Sequence, residues 1–126
     1  MILSSRQPRR IITLALLSIA FNSTADDLIY VYSPYCGACM KWQAEIEPIY
    51  PKTAEARALP LIKVSLQDWQ TGKHTATACE IDPVLVTPTF IQVHQCKELD
   101  RITGYSNDEL FWFALQRIAN RSNALD

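Results

Sequence analysis

The chain has 126 residues, with 12 Lys and Arg against 13 Asp and Glu and two histidines. That length holds one domain and no more. Near-balanced charge without a basic run excludes the electrostatic footprint of a nucleic-acid binder, so no nucleic acid is expected among its partners.

The N-terminal residues carry Arg6, Arg9 and Arg10, then an almost unbroken apolar run over residues 11–21, then small residues ending at Ala25. This order predicts a secretory signal peptide over residues 1–25, cleaved after Ala25, and one domain over residues 26–126. A membrane anchor is the competing reading, but the apolar run is about half of the roughly 20 residues a spanning helix needs. Arg9-Arg10 raises the twin-arginine route; nothing further along resembles a cofactor site that would require folding before export, which favours the ordinary route. Without the three arginines, nine basic residues face 13 acidic ones, a net charge of −4. All four cysteines, Cys36, Cys39, Cys79 and Cys96, lie in the expected exported part. In an exported protein an even cysteine count reads first as disulfides.

Residues 28–32, Leu-Ile-Tyr-Val-Tyr, form an apolar, β-branched and aromatic run and predict a buried strand. Ser33-Pro34-Tyr35 breaks it and a helical pattern begins at Cys36, interrupted by Pro48 and Pro51. A second helical stretch is predicted over 52–58 and a second strand over 61–66, parallel to the first because a helix lies between them. Residues 67–74 read as loop and 75–81 as a short helix. Residues 89–93 and 99–103 predict a hairpin turning at 95–98. Ser106 and Glu109 fit a capping box for a last helix carrying Leu110, Phe111, Ala114, Leu115, Ile118 and Ala119. The order is β-α-β-α-β-β-α, an α/β fold with a mixed four-stranded sheet flanked by helices. Trp69, Trp112 and Phe111 with Phe113 read as packing.

Cys36-Gly37-Ala38-Cys39 at the strand–helix junction is the strongest chemical signal. Positions i and i+3 share a face in a first helical turn, so the two sulfurs can meet. The helix N-terminus favours an anion, which supplies thiolate at the first cysteine. Cys36 is therefore the expected nucleophile and Cys39 the residue that resolves the mixed disulfide. A purely structural bond is disfavoured because so small a loop yields little chain-entropy stabilisation. Half of a zinc site would need a second ligand pair.

Tyr35-Cys36-Gly37-Ala38-Cys39 followed by Thr87-Pro88-Thr89-Phe90 resembles the thioredoxin superfamily over essentially all of the exported part. The resemblance implies a cis Pro88 packed against the redox pair. It also implies that Thr87 presents its backbone to an extended partner segment, with Tyr35 and Ala38 lining the contact. Cys39-Met40-Lys41-Trp42, Ile49-Tyr50-Pro51-Lys52-Thr53, Ala58-Leu59-Pro60-Leu61 and Gly104-Tyr105 with Phe111-Trp112 are similar to the SoxS proteins, periplasmic thioredoxin-like components of bacterial sulfur oxidation. That likeness implies a reductant that takes electrons from a membrane thiol donor and reactivates the oxidised cysteine of a sulfur-carrier protein, with no cofactor and no metal. A general disulfide oxidase or isomerase of exported proteins, or a non-catalytic binding module, are the alternatives.

Two departures stand out. Where thioredoxins carry a buried aspartate six positions before the first cysteine, this chain has Tyr30, while Lys63 matches the lysine that accompanies that acid. A tyrosine is a poor base, so activation of Cys39 is expected from water or the partner. Between the cysteines there is no histidine to stabilise the thiolate, which favours the reductant role. Cys79 and Cys96 are left as a structural disulfide, a metal set with His74 and His94, free thiols, or cysteines paired with another chain.

Overall fold

Residues 28–31 are all buried, because the strand that holds them has protein on both faces, and this is why it reads as a continuous apolar run. The computed structural model describes residues 26–125, so the signal segment expected over 1–25 lies outside the described residues. The strand is β1 (Asp27–Tyr32). It is followed by α1 (Gly37–Glu45), a 3₁₀ turn (Tyr50–Lys52), α2 (Ala54–Ala58), β2 (Leu61–Ser65) and α3 (Leu66–Gln70). A second 3₁₀ turn (Thr75–Ala78), β3 (Thr89–His94), β4 (Lys97–Thr103) and α4 (Asp108–Leu125) complete the order. The sheet runs β2-β1-β3-β4, with β1 and β2 parallel and the other neighbours antiparallel. This is the expected mixed four-stranded α/β architecture.

Alternation along β1 divides the core. Leu28 and Tyr30 point to one face with Phe90 of β3, where Trp42 and Ile46 from the α1 region and Phe111, Leu115 and Ile118 of α4 cover them. Ile29 and Val31 point to the other face with Ile91 and Val93, covered by Val64, Val84, Leu66 and Trp69. Trp69 and Phe111 are therefore packing residues, as expected, but Phe113 is 74% exposed. Among the described residues no helix is long and apolar enough to cross a membrane.

Local chemistry moves several boundaries. Residues 67–74, expected as loop, include α3, because the Ser65 hydroxyl accepts from Asp68 N–H at 3.1 Å and caps a short turn. Residues 75–81, expected as helix, hold only the 3₁₀ turn, capped by the His74 ring accepting from Ala76 N–H. The second helical stretch begins at Ala54, because the Thr53 hydroxyl accepts from Ala56 N–H at 3.2 Å. The cap of α4 is Asn107 and not Ser106: its side-chain oxygen accepts from Leu110 N–H at 2.9 Å, and Asn is as good a cap as Ser. The hairpin turns on Gln95 and Cys96 alone, both with positive φ (48° and 62°), so β4 begins two residues earlier than expected.

Candidate active site

The chain leaves β1, turns at Ser33-Pro34 with Cys36 N–H donating to the Ser33 carbonyl at 3.2 Å, and enters α1. Cys36 is the N-cap in extended conformation, and its sulfur accepts from Cys39 N–H at 3.1 Å. The two cysteines are disulfide-bonded, with Cα atoms 5.2 Å apart. Cys39 is fully buried, whereas Cys36 is partly exposed and sits beside Tyr35, which is 95% exposed. An incoming group therefore reaches one sulfur of the pair. Three residues later Trp42 is fully buried and anchors the helix among Tyr30, Phe90 and Phe111.

A second segment completes the site. The Thr87–Pro88 peptide bond is cis, and the Thr87 carbonyl oxygen lies 3.3 Å from the Cys36 sulfur. Pro88 is buried and Thr87 half-buried. The loop is held from behind by Gly104 N–H donating to the Pro88 carbonyl at 2.7 Å and by the Thr89 hydroxyl donating to Val86 at 2.7 Å. Gly104 has φ 79°, a conformation that suits glycine. Tyr35, Cys36, Cys39, Thr87 and Pro88, singled out in the sequence, thus meet at one end of the sheet.

The Cys36 sulfur stands between opposite dipoles. The Cys39 N–H and the first turn of α1 favour negative charge on it, while the Thr87 carbonyl is an acceptor that a thiol proton would satisfy.

Beneath the pair, Tyr30 is fully buried, stacked on Phe90 at 4.9 Å, and its hydroxyl donates weakly to the Cys39 carbonyl at 3.5 Å. Gln43 donates to the same hydroxyl at 3.1 Å. Burial pushes its pKa up to about 12; the Glu47 and Tyr32 charges act the same way, and the Gln43 hydrogen bond only partly opposes them. Tyr30 is therefore a neutral donor at working pH and cannot take the Cys39 proton. Lys63 pairs with Glu47 at 3.0 Å, near the surface, where such a pair adds little stability.

Cys79 and Cys96 are joined in a disulfide between the segment before Pro88 and the hairpin turn. Both thiols are thereby used, and His74 and His94 are engaged elsewhere, as a helix cap and as the partner of Asp26. Three arrangements were not apparent in the sequence: an exposed apolar pair, Leu85 and Val86, beside Thr87; a buried set of Asp26, Gln92 and Ser122 with His94; and an Arg101–Glu98 pair on β4. The Asp26 set joins residues far apart in the chain and Arg101 also reaches Asp82 and Pro83, 19 and 18 positions away, so no local motif announces these contacts.

A half-open cysteine pair at a helix N-terminus, pressed against a cis-proline loop on a mixed four-stranded sheet, defines a thiol–disulfide oxidoreductase of thioredoxin-like fold. The sequence matches no established protein-family profile and no curated protein. Among solved structures it is similar to the reduced form of the periplasmic thioredoxin SoxS from Paracoccus pantotrophus, at 33% identity and TM-score 0.67, over 77% of this chain and 98% of that one. It shares the fold of Trxlp from Edwardsiella tarda (22% identity, TM-score 0.56, covering 74% of this chain and 84% of that one). The same holds for Fasciola hepatica thioredoxin (21%, 0.53, 75% and 81%). The chain belongs to the thioredoxin superfamily, near the SoxS thioredoxins.

Proposed function

We propose that this protein is an exported, periplasmic reductant whose substrate is an oxidised cysteine on a partner protein, in particular that of a sulfur-carrier protein in thiosulfate or sulfur oxidation. The observation that carries the reading is the asymmetry of the pair: Cys36 is partly exposed at the helix N-cap beside Thr87, while Cys39 is sealed beneath it. The leader-like residues 1–25 and the 33% identity to a periplasmic thioredoxin support the compartment.

In the reduced protein, the Cys36 thiolate attacks one sulfur of the partner's disulfide, and the other sulfur leaves as a thiolate. The partner segment lies along Thr87-Pro88, with Tyr35 and Ala38 against it. Cys39 then attacks the Cys36 sulfur, closing the internal disulfide and releasing the partner's cysteine reduced. With Tyr30 neutral, the Cys39 proton goes to water or to the departing partner. A membrane thiol donor supplies two electrons to reopen the pair.

Expressing Cys39→Ser in the native envelope, with Cys36→Ser as control, tests this by trapping the mixed disulfide. One dominant adduct with a small sulfur-carrier protein is expected. A ladder of many exported proteins would make the chain a general disulfide oxidase or isomerase. No adduct, with function intact in Cys36→Ser, would make it a binding module.

A further inference from the structure

Residues 79–88 run as a strap along the outer edge of β4. At the far end Cys79 is bonded to Cys96, and Glu80 forms a parallel bridge with Lys97, through Glu80 N–H to the Cys96 carbonyl and Glu98 N–H to the Glu80 carbonyl, both 3.0 Å. At the near end Pro88 is held by Gly104. Between these ends Val84 is buried with Ile29, Val31, Ile91 and Val93, and the Val86 carbonyl accepts from the Thr89 hydroxyl, whereas Asp82, Pro83, Leu85 and Val86 are exposed, which leaves a gap in the packing at Asp82-Pro83.

Arg101 bridges this gap. Its guanidinium donates to the Asp82 carbonyl at 2.9 Å and to the Pro83 carbonyl at 3.1 Å, and pairs with Glu98 through Nε and through Nη2 at 2.9 Å. Glu98 in turn accepts from Asp82 N–H at 2.9 Å. Burial alone would raise the Glu98 pKa, but the hydrogen bonds from Arg101 and Asp82 and the attraction of the guanidinium outweigh it, and the carboxylate stays ionised. A planar fork can hold two carbonyls and a carboxylate together, which a lysine cannot do. The last carbonyl that it grips belongs to Pro83, four residues before Thr87.

We propose that Arg101, oriented by Glu98, is a positioning residue for the exchange reaction: it sets where the Leu85–Thr87 ledge stands relative to Cys36 and so controls docking of a protein disulfide. This rests on the reading that the partner lies along Thr87-Pro88. A small disulfide needs only the exposed Cys36 sulfur, so the two substrate sizes separate the roles.

The test measures steady-state reduction of insulin and of oxidised glutathione, with dithiothreitol as the electron donor and its uncatalysed rate subtracted, by wild type, Arg101→Gln, Arg101→Lys and Pro88→Ala, each checked for folding by circular dichroism. Misplacing a docking segment by about 1 Å costs up to roughly 100-fold. We expect Arg101→Gln to raise KM for insulin about tenfold, with kcat and the glutathione rate within about twofold of wild type, and Arg101→Lys to fall between. Arg101→Gln slowing both substrates by the same factor, or slowing neither while Pro88→Ala raises the insulin KM, overturns the role of Arg101. If Pro88→Ala also leaves the insulin KM unchanged, the docking ledge itself is misassigned. If Arg101→Gln does not fold, Arg101→Lys decides: an insulin KM equal to that of wild type overturns the proposal.

Discussion

Replacing Cys79 and Cys96 together by serine removes the cross-link between the hairpin turn and the strap while leaving Cys36–Cys39 in place. The two cysteines are 17 positions apart in sequence. Closing a loop of that size removes about 10 cal/mol/K of entropy from the unfolded chain, roughly 3 kcal/mol at 25 °C. A partial offset exists at the turn. Gln95 and Cys96 are held at φ 48° and 62°, each in a left-handed conformation that costs a non-glycine residue roughly 1–2 kcal/mol. Without the cross-link the turn can relax some of this, leaving a net loss of about 2–3 kcal/mol. For a domain of about 100 residues each kcal/mol moves Tm by about 4–8 °C, so a drop of roughly 10–20 °C is expected. Far-UV circular dichroism melts and urea titrations of both proteins, with Cys36–Cys39 oxidised in each, supply the comparison. A loss below about 1 kcal/mol would refute the reasoning, since a cross-link of this span must then constrain little in the unfolded chain.

Other outcomes follow from the same geometry. Gln95→Asn suits a left-handed turn position better and should stabilise the protein by about 0.5–1 kcal/mol in urea, provided the turn conformation is retained. Burial alone would raise the pKa of Asp26, but hydrogen bonds from Ser122 (2.5 Å) and Gln92 (2.8 Å) and contact with His94 hold it below the usual value. Asp26 therefore contributes stability at pH values above its unfolded pKa of about 4, and that contribution is lost as pH falls through the lower folded value. Asp26→Asn should accordingly be less stable than wild type at pH 7 and show a flatter decline between pH 5 and 2, read by urea unfolding across that range. Because Tyr30 is a neutral donor and not a base, Tyr30→Phe should keep the pH profile of mixed-disulfide resolution between pH 6 and 9, at a stability cost of about 1 kcal/mol. A lost alkaline limb in stopped-flow traces would contradict that.

Much of this was legible in the sequence because it is local. The Cys36-to-Cys39 spacing and the apolar run of β1 each announce their geometry within a few residues, whereas the cis Thr87–Pro88 bond was legible only through the resemblance to thioredoxins. Element ends were less legible. Ser106 and Asn107 are both good caps, and the choice between them is made by tertiary contacts, including Lys41 donating to the Ser106 carbonyl at 2.8 Å. The helix α3 is five residues long and rests on one serine cap and the packing of Leu66 and Trp69, too little for periodicity to register. The Cys79–Cys96 bond required a Cα approach of 4.7 Å that no spacing rule supplies. The Arg101 strut and the Asp26 cluster join residues 18 to 96 positions apart, and only the folded sheet brings them together.

The most direct measurement is the reduction potential of the Cys36–Cys39 pair, read in a dithiothreitol redox buffer by the alkylation state of those two cysteines. A dedicated reductant should lie near the thioredoxin value of about −270 mV. A value near −120 mV, typical of strong oxidants of this fold, or a pair that does not exchange with the buffer, would contradict the proposed reducing role.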